Sequence, residues 1–365
     1  MSLSIAIVGP PNVGKSTLFN ALTDSQVLAA NYPFATIEPN TGVVPVPDSR
    51  LQPLADLYKT SRIIPASVTF VDVAGLVKGA SEGEGLGNQF LGHIRNTSAI
   101  VQVVRAFDDP DVTRAEGSSS PSDDIAVINT ELVLADLQTI DRRLPRLVKE
   151  AKATPALKAQ LDMLEMARQT LDAGTPLFAA ADTWKPEDAA WLKRELQLLT
   201  LKPIIYVFNV DEHGLQDTAR QQELRQLAAP AQALFICAKL EDELRSLDAS
   251  DRAEMLLSYG QSESGLGQLI RAAYDTLGLQ SYLTAGEKEV RAWTISRGST
   301  APQAAGVIHG DFERGFIATE VVSYGDLLAT GSLAAARAAG KVRTEGKTYV
   351  MQPDDVVEFR FNVSK

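Results

Sequence analysis

Gly9-Pro10-Pro11-Asn12-Val13-Gly14-Lys15-Ser16 fits the pattern G-x-x-x-x-G-K-[ST], and residues of those types in that order prescribe phosphate chemistry. Glycines let the backbone curl until its N–H groups converge on phosphate oxygens. Lys15 would then reach the β and γ phosphates, the Ser16 hydroxyl would bind Mg²⁺, and the N-terminus of a following helix would add its dipole. The nucleotide contacts expected here are Gly9, Pro11, Asn12, Val13, Gly14, Lys15, Ser16 and Thr17. Two further pieces suit the same site. Asp72-Val73-Ala74-Gly75 closes an apolar run, where Asp72 can hold Mg²⁺ through water and the Gly75 N–H can contact the γ phosphate. Thr36, within Asn31-Tyr32-Pro33-Phe34-Ala35-Thr36-Ile37-Glu38-Pro39, is placed to add its hydroxyl to the metal when the γ phosphate is present.

Base recognition is expected at Asn209-Val210-Asp211-Glu212, where a GTPase carries Asn-Lys-x-Asp. The GTPase aspartate accepts two hydrogen bonds from guanine, and the lysine stem stacks on the ring. Val210 lacks that stem, and Glu212 is one methylene too long to sit in the aspartate's place. Adenine presents an acceptor at N1, so a displaced Glu212 tolerates it, while Asn209 has the right group to pair with N6 and N7. ATP is therefore expected over GTP. Cys237-Ala238-Lys239, after the next strand, is expected to give the base backbone contacts through Cys237 and Ala238.

These residues need a scaffold of strand ends. Apolar runs at 5–8, 68–73, 100–107, 203–209 and 233–237, with a helix opening at 17–22, predict an α/β fold. The sheet is mostly parallel, with helices on both faces. Between the third and fourth runs the period changes. Leu137, Ile140, Leu144 and Leu147, then Leu157, Leu161 and Leu164, are spaced as two helices meeting along an apolar seam, with the turn near Pro155. Pro145 is expected to kink the first of them. The nucleotide-binding domain thus comprises 1–126 and 201–280, interrupted by a helical hairpin at 127–200. Runs at 290–295, 315–322, 348–350 and 356–361 make 281–365 a separate small α+β domain.

Composition narrows the function classes. An apolar fraction of 45% with 22% charged residues is that of a globular chain, and no apolar run reaches membrane-spanning length. One cysteine and three histidines leave no disulfide and no Cys/His metal cluster to build. A cytoplasmic protein without a membrane partner is expected. The net charge of −11 argues against wholesale coating of nucleic acid, DNA included. Against that trend, residues 136–158 carry Arg142, Arg143, Arg146, Lys149, Lys152 and Lys158 but only Asp136, Asp141 and Glu150, a local balance of +3.

Residues 9–16, the stretch NYPFATIEPNTG at 31–42, DVAGLVKGASEGEGLG at 72–87 and residues 209–212 together resemble the YchF/Obg-like ATPase family of P-loop NTPases, over essentially all 365 residues. The resemblance implies that the C-terminal domain is a TGS domain of β-grasp shape. It also implies ATP preference, association with the ribosome or its RNA through the TGS domain and the hairpin, and a role in translation control or stress response. It leaves catalysis open. Leu76 stands where many GTPases place a water-orienting glutamine, and the histidine that substitutes in related proteins aligns with Arg114. Arginine cannot serve as a base, but it can stabilise charge on the transferring phosphoryl, so Arg114 joins Lys15, Thr36 and Gly75 as a catalytic candidate. In related proteins an asparagine at the place of Asn12 helps hold K⁺, making K⁺ a second possible cofactor beside Mg²⁺.

The leading expectation is thus a slow Mg²⁺-dependent ATPase, binding GTP less well, that works as a ribosome-associated switch. A nucleotide-dependent binding module with incidental hydrolysis and a conventional translational GTPase are the alternatives. A metabolic kinase is disfavoured, because no second substrate site with a catalytic Asp is visible. His93, after the glycine-rich stretch 79–87, is expected to cap or pack a helix rather than react.

Overall fold

The computed structural model describes residues 3–23, 40–73, 86–114 and 118–362, which fall into two compact units. Most of a six-stranded sheet ordered β2-β4-β1-β5-β6-β7 belongs to unit one, while residues 43–45 and 67–68 of its strands are assigned to unit two. The sheet's strands are β1 (Ser4–Val8), β2 (Thr41–Pro45), β4 (Ser67–Asp72), β5 (Ala99–Arg105), β6 (Ile204–Asn209) and β7 (Gln232–Ile236). β1 runs parallel to β4 and β5, and β5, β6 and β7 continue in parallel. The central strands are buried at every residue, because helices cover both faces; this is why they read as unbroken apolar runs rather than alternating ones. Those helices include α1 (Lys15–Thr23), α3 (Leu86–Arg95), α7 (Thr218–Ala228), α8 (Ala238–Leu244) and α9 (Ala249–Ser258); α10 (Gly265–Thr276) follows them in the chain. The α/β reading of the apolar runs therefore holds.

The inserted segment contains α4 (Pro121–Ala153), α5 (Lys158–Asp172) and α6 (Pro186–Leu196). At 1.5 Å per residue the 33 residues of α4 span about 50 Å. α4 belongs to two cores. Ile125, Ile128 and Leu132 pack with the sheet, whereas Ile140 and Leu147 join Leu164, Ala167, Leu171 and Leu192 in a separate cluster. The helix consequently starts ahead of position 127, and the insertion gains a third helix that the leucine spacing did not reveal. Pro145 lies inside α4, which is helical on both sides of it, so the proline does not end the helix.

Unit two carries the C-terminal residues together with 43–68, a segment expected to lie wholly in the nucleotide-binding domain. It holds α2 (Leu51–Tyr58), β3 (Ile63–Ile64), β8 (Leu279–Ala285), β9 (Val290–Ser296), α11 (Ala301–Ile308), α12 (Gly310–Arg314), β10 (Phe316–Ser323), α13 (Tyr324–Thr330), α14 (Leu333–Ala338), β11 (Arg343–Glu345) and β12 (Asp355–Phe361). The sheet order is β11-β10-β12-β8-β9-β3. Antiparallel strand pairs flank a parallel junction of β12 with β8, the pattern of a β-grasp sheet, and Ala301, Ala304 and Ala305 of α11 pack on Tyr282 and Ile295. The strand expected at 348–350 is instead Arg343–Glu345; Val350 makes only an isolated bridge to Thr300. Among the described residues no helix is long and apolar enough to cross a membrane.

Candidate nucleotide-binding site

β1 ends at Val8, the chain turns through residues 9–14, and α1 opens at Lys15. The turn needs its glycines. A Cβ on Gly9 would lie 2.7 Å from the Val103 carbonyl oxygen. Gly14 has φ +90° and would push a Cβ into the Asn209 side chain. The Leu18 N–H donates to the Gly14 carbonyl at 2.9 Å, which starts the helix and leaves Ser16 and Thr17 exposed on its first turn.

Parallel register of β1 with β4 places Asp72 opposite Ile7, beside the loop. There the Lys15 ammonium lies 3.0 Å from the Asp72 carboxylate, with the side chains only 9% and 19% exposed. The lysine expected for phosphate and the carboxylate expected for metal are thus brought together. Asn12 adopts φ 61°, and its side-chain N–H donates to the Thr113 carbonyl at 3.1 Å. That contact ties the phosphate loop to the segment after β5.

Arg105, at the end of β5, shapes that segment. Its guanidinium donates to the carbonyls of Val112 (2.7 Å) and Asp109 (3.0 Å) and lies over the Phe107 ring. The buried Asp124 carboxylate accepts from the Arg105 backbone N–H at 3.0 Å and from the Ser118 hydroxyl. Arg114 points at the same carboxylate, 4.0 Å away, and its Nη1 is buried without a hydrogen-bond partner. Arg105 and Asp124 were not singled out from the sequence. Arg105 closes an apolar run and Asp124 lies 19 positions on, so nothing in their spacing joins them until the fold buries both.

The base motif differs most from expectation. Asn209 is 7% exposed, and both ends of its amide are engaged: Nδ2 donates to the Val13 carbonyl at 2.9 Å, and Oδ1 accepts from the Ala238 N–H at 3.0 Å. Asn209 therefore clamps the phosphate loop to the β7–α8 junction, and the expected pairing with adenine N6 and N7 does not fit this geometry. Ala238 has its N–H committed to that clamp, so it is not a free donor to a base. The Cys237 carbonyl likewise accepts the Glu241 N–H at 3.0 Å, within α8. Val210 and Cys237 are buried in the core, the cysteine thiol pushed up by desolvation. Glu212 remains at the surface, its carboxylate 3.2 Å from the Lys239 ammonium. A hydrogen bond from its own backbone N–H, and then Lys239, hold its pKa below the usual range. The stretch Cys237-Ala238-Lys239 was expected to offer backbone contacts, with no role for the Lys239 side chain.

Thr36, Gly75 and Leu76 lie outside the described residues. His93 is exposed in the last turn of α3. His309 joins α11 to α12 and accepts the Asp311 N–H through Nδ1.

A glycine loop between a buried parallel strand and a helix, closed by a lysine–aspartate pair and clamped by the asparagine of the base motif, defines a P-loop NTPase of the GTPase-like α/β class. Two family models divide the chain: residues 4–135 match one described as 50S ribosome-binding GTPase, and residues 279–362 match YchF-GTPase_C, described as a protein of unknown function. The chain is 48% identical to the ribosome-binding ATPase YchF of Bacillus subtilis and 49% identical to that of Escherichia coli O157:H7, in both cases over 100% of each sequence. The YchF GTPase of Schizosaccharomyces pombe has a similar structure, with a TM-score of 0.87 at 38% identity over 98% of each chain. The chain belongs to the YchF family.

Proposed function

We propose that this chain is a Mg²⁺-dependent NTPase that prefers ATP to GTP and acts at the ribosome as a nucleotide-controlled switch. The observation that carries the reading is the convergence of Lys15 and Asp72, 3.0 Å apart, at the phosphate loop. Full-length relatives named ribosome-binding ATPases support the choice of nucleotide and partner. The oxygen donors present suit Mg²⁺, since the exposed Ser16 hydroxyl and the Asp72 carboxylate are hard ligands. Ser16, Asp72 and Thr36 would hold it, and when bound it would supply positive charge to the phosphates.

The chain's own residues supply the rest. Lys15 exchanges Asp72 for phosphate oxygens, backbone N–H groups of the loop cradle them, and Asn209 keeps that loop in shape by holding Val13. The Gly75 N–H meets the γ phosphate. Arg114 must leave Asp124 to stabilise the transferring phosphoryl, which supports slow intrinsic turnover. Asn12 gives its N–H to Thr113 and keeps its Oδ1 for a K⁺ ion. The ribosome is met by the basic face of α4 and by the C-terminal unit, read as a TGS domain, and such a partner implies a cytoplasmic protein.

Equilibrium competition of ATP and GTP against a fluorescent analogue, with Mg²⁺ in KCl and in NaCl, tests this. The expected result is a preference for ATP of about tenfold or more, worth about 1.4 kcal/mol, and faster turnover in KCl. Preference for GTP would return the chain to the conventional translational GTPases, and equal turnover in both salts would remove the K⁺ role.

A further inference from the structure

The base side of the site has few groups left with which to read a base. The Asn209 amide is engaged at both ends, Val210 is buried, and the Asp211 carboxylate accepts the Gly214 N–H at 2.8 Å to close its own turn. His213 is exposed and follows in that turn. Glu212 and Lys239 are different: they come from separate elements, the turn after β6 and the first turn of α8, and meet at 3.2 Å with the lysine side chain 73% exposed. We infer that Lys239 is a specificity-positioning residue, which holds Glu212 in an ion pair so that its carboxylate neither accepts the N1–H and N2–H of guanine nor repels the N1 lone pair of adenine. The inference rests on the ATP-preferring reading above and names the device that enforces it.

The electrostatic reasoning is that of selection against a competitor. An unpaired carboxylate near the ring edge is an acceptor that guanine satisfies and adenine cannot. Pairing it with an ammonium removes that advantage, and the pair is formed before any nucleotide arrives. Lys239 is also held above its ordinary pKa by Glu212, so both partners stay charged at neutral pH. Because the pair is exposed, its effect on affinity is modest and falls with salt.

The test is the ATP:GTP affinity ratio of wild type, Lys239→Met, Glu212→Gln and the double variant, measured by competition in Mg²⁺ at low salt. Methionine keeps the length of the stem and removes the charge, and the position is exposed, so folding is not at issue. Freed of Lys239, Glu212 should shift the ratio toward GTP by about fivefold, equivalent to about 1 kcal/mol. In the Glu212→Gln background, Lys239→Met should change nothing further. An unchanged ratio in the single variant would make the contact an ordinary surface ion pair and overturn the inference. An equal shift in both backgrounds would also overturn it, because Lys239 would then act through its own contact with the base. Wild type that prefers GTP would defeat the functional reading itself, before any variant is compared.

Discussion

Asn209 and Glu241 are both buried polar side chains near the strand ends of the base motif, and only one of them carries a charge. Asn209 is neutral and fully satisfied. Glu241, in α8, accepts the Gly265 N–H at 2.6 Å at the start of α10, yet burial pushes its carboxyl up from 4.5 to about 6. The folded chain thus holds this proton more tightly than the unfolded one. Its stabilising contribution is complete below about pH 4.5 and is lost as the pH rises through about 6. Glu241→Gln keeps an acceptor for Gly265 and removes the charge. Relative to wild type, this variant should gain about 2 kcal/mol between pH 4.5 and 7.5, read from urea unfolding at the two pH values; a flat difference would show that the ionised carboxylate is not penalised. The site was legible at this scale only where its logic is local. Residues 9–16 announce themselves because the types and spacing that shape the loop lie within one short turn and the helix behind it. The roles of Asn209, Asp124 and Lys239 depend on partners 196, 19 and 27 positions away, and no spacing rule joins them.

Among the elements, α4 decides how the insertion is attached to the nucleotide unit. Its first turns are tied near the phosphate loop through Asp124, and further along it is pinned again. The wholly buried Asp136 carboxylate accepts the backbone N–H groups of Leu199 and Thr200, each at 2.8 Å, and the Thr200 hydroxyl at 2.7 Å. Arg95, at the end of α3, adds a bond to Thr139 at 3.1 Å. Asp136→Ala would strand three buried donors ahead of β6, and should destabilise the protein by about 2–5 kcal/mol, seen as a lower denaturant midpoint. A loss below about 0.5 kcal/mol would mean that water replaces the carboxylate. Strong periods made the helices readable, since Ile140 and Leu147 or Leu164 and Leu171 recur at helical spacing to bury one face. Weak ones hid other elements. β3 has only two residues, and β11 is a polar edge strand, Arg-Thr-Glu, with no apolar face to betray it.

For the molecule as a whole, a net charge of −11 has to be reconciled with the proposed ribosomal partner, made largely of RNA. Residues 281–365 balance ten basic against ten acidic side chains, so that stretch brings no net attraction. The acids of the basic stretch on α4 are each buried or paired, which leaves part of its positive charge free at the surface. Asp136 is buried, Asp141 pairs with Arg168 at 2.7 Å, and Glu150 pairs with Arg143 and Arg146 at 2.8 and 2.9 Å. Arg142, Lys149 and Lys152 are left exposed, and positions 142, 146 and 149 recur at helical spacing along one face. Phosphate contacts of this kind release counterions, so affinity should fall steeply between about 50 and 200 mM salt. The triple reversal Arg142→Glu, Lys149→Glu, Lys152→Glu should weaken cosedimentation with purified ribosomes by about tenfold or more and flatten the log–log salt slope by about three. Nucleotide affinity should not change, since none of the three lies among the residues of the phosphate or base loops. Unaltered cosedimentation would move the contact to the C-terminal unit, where a neutral surface must recognise its partner by shape and hydrogen bonding instead of by field.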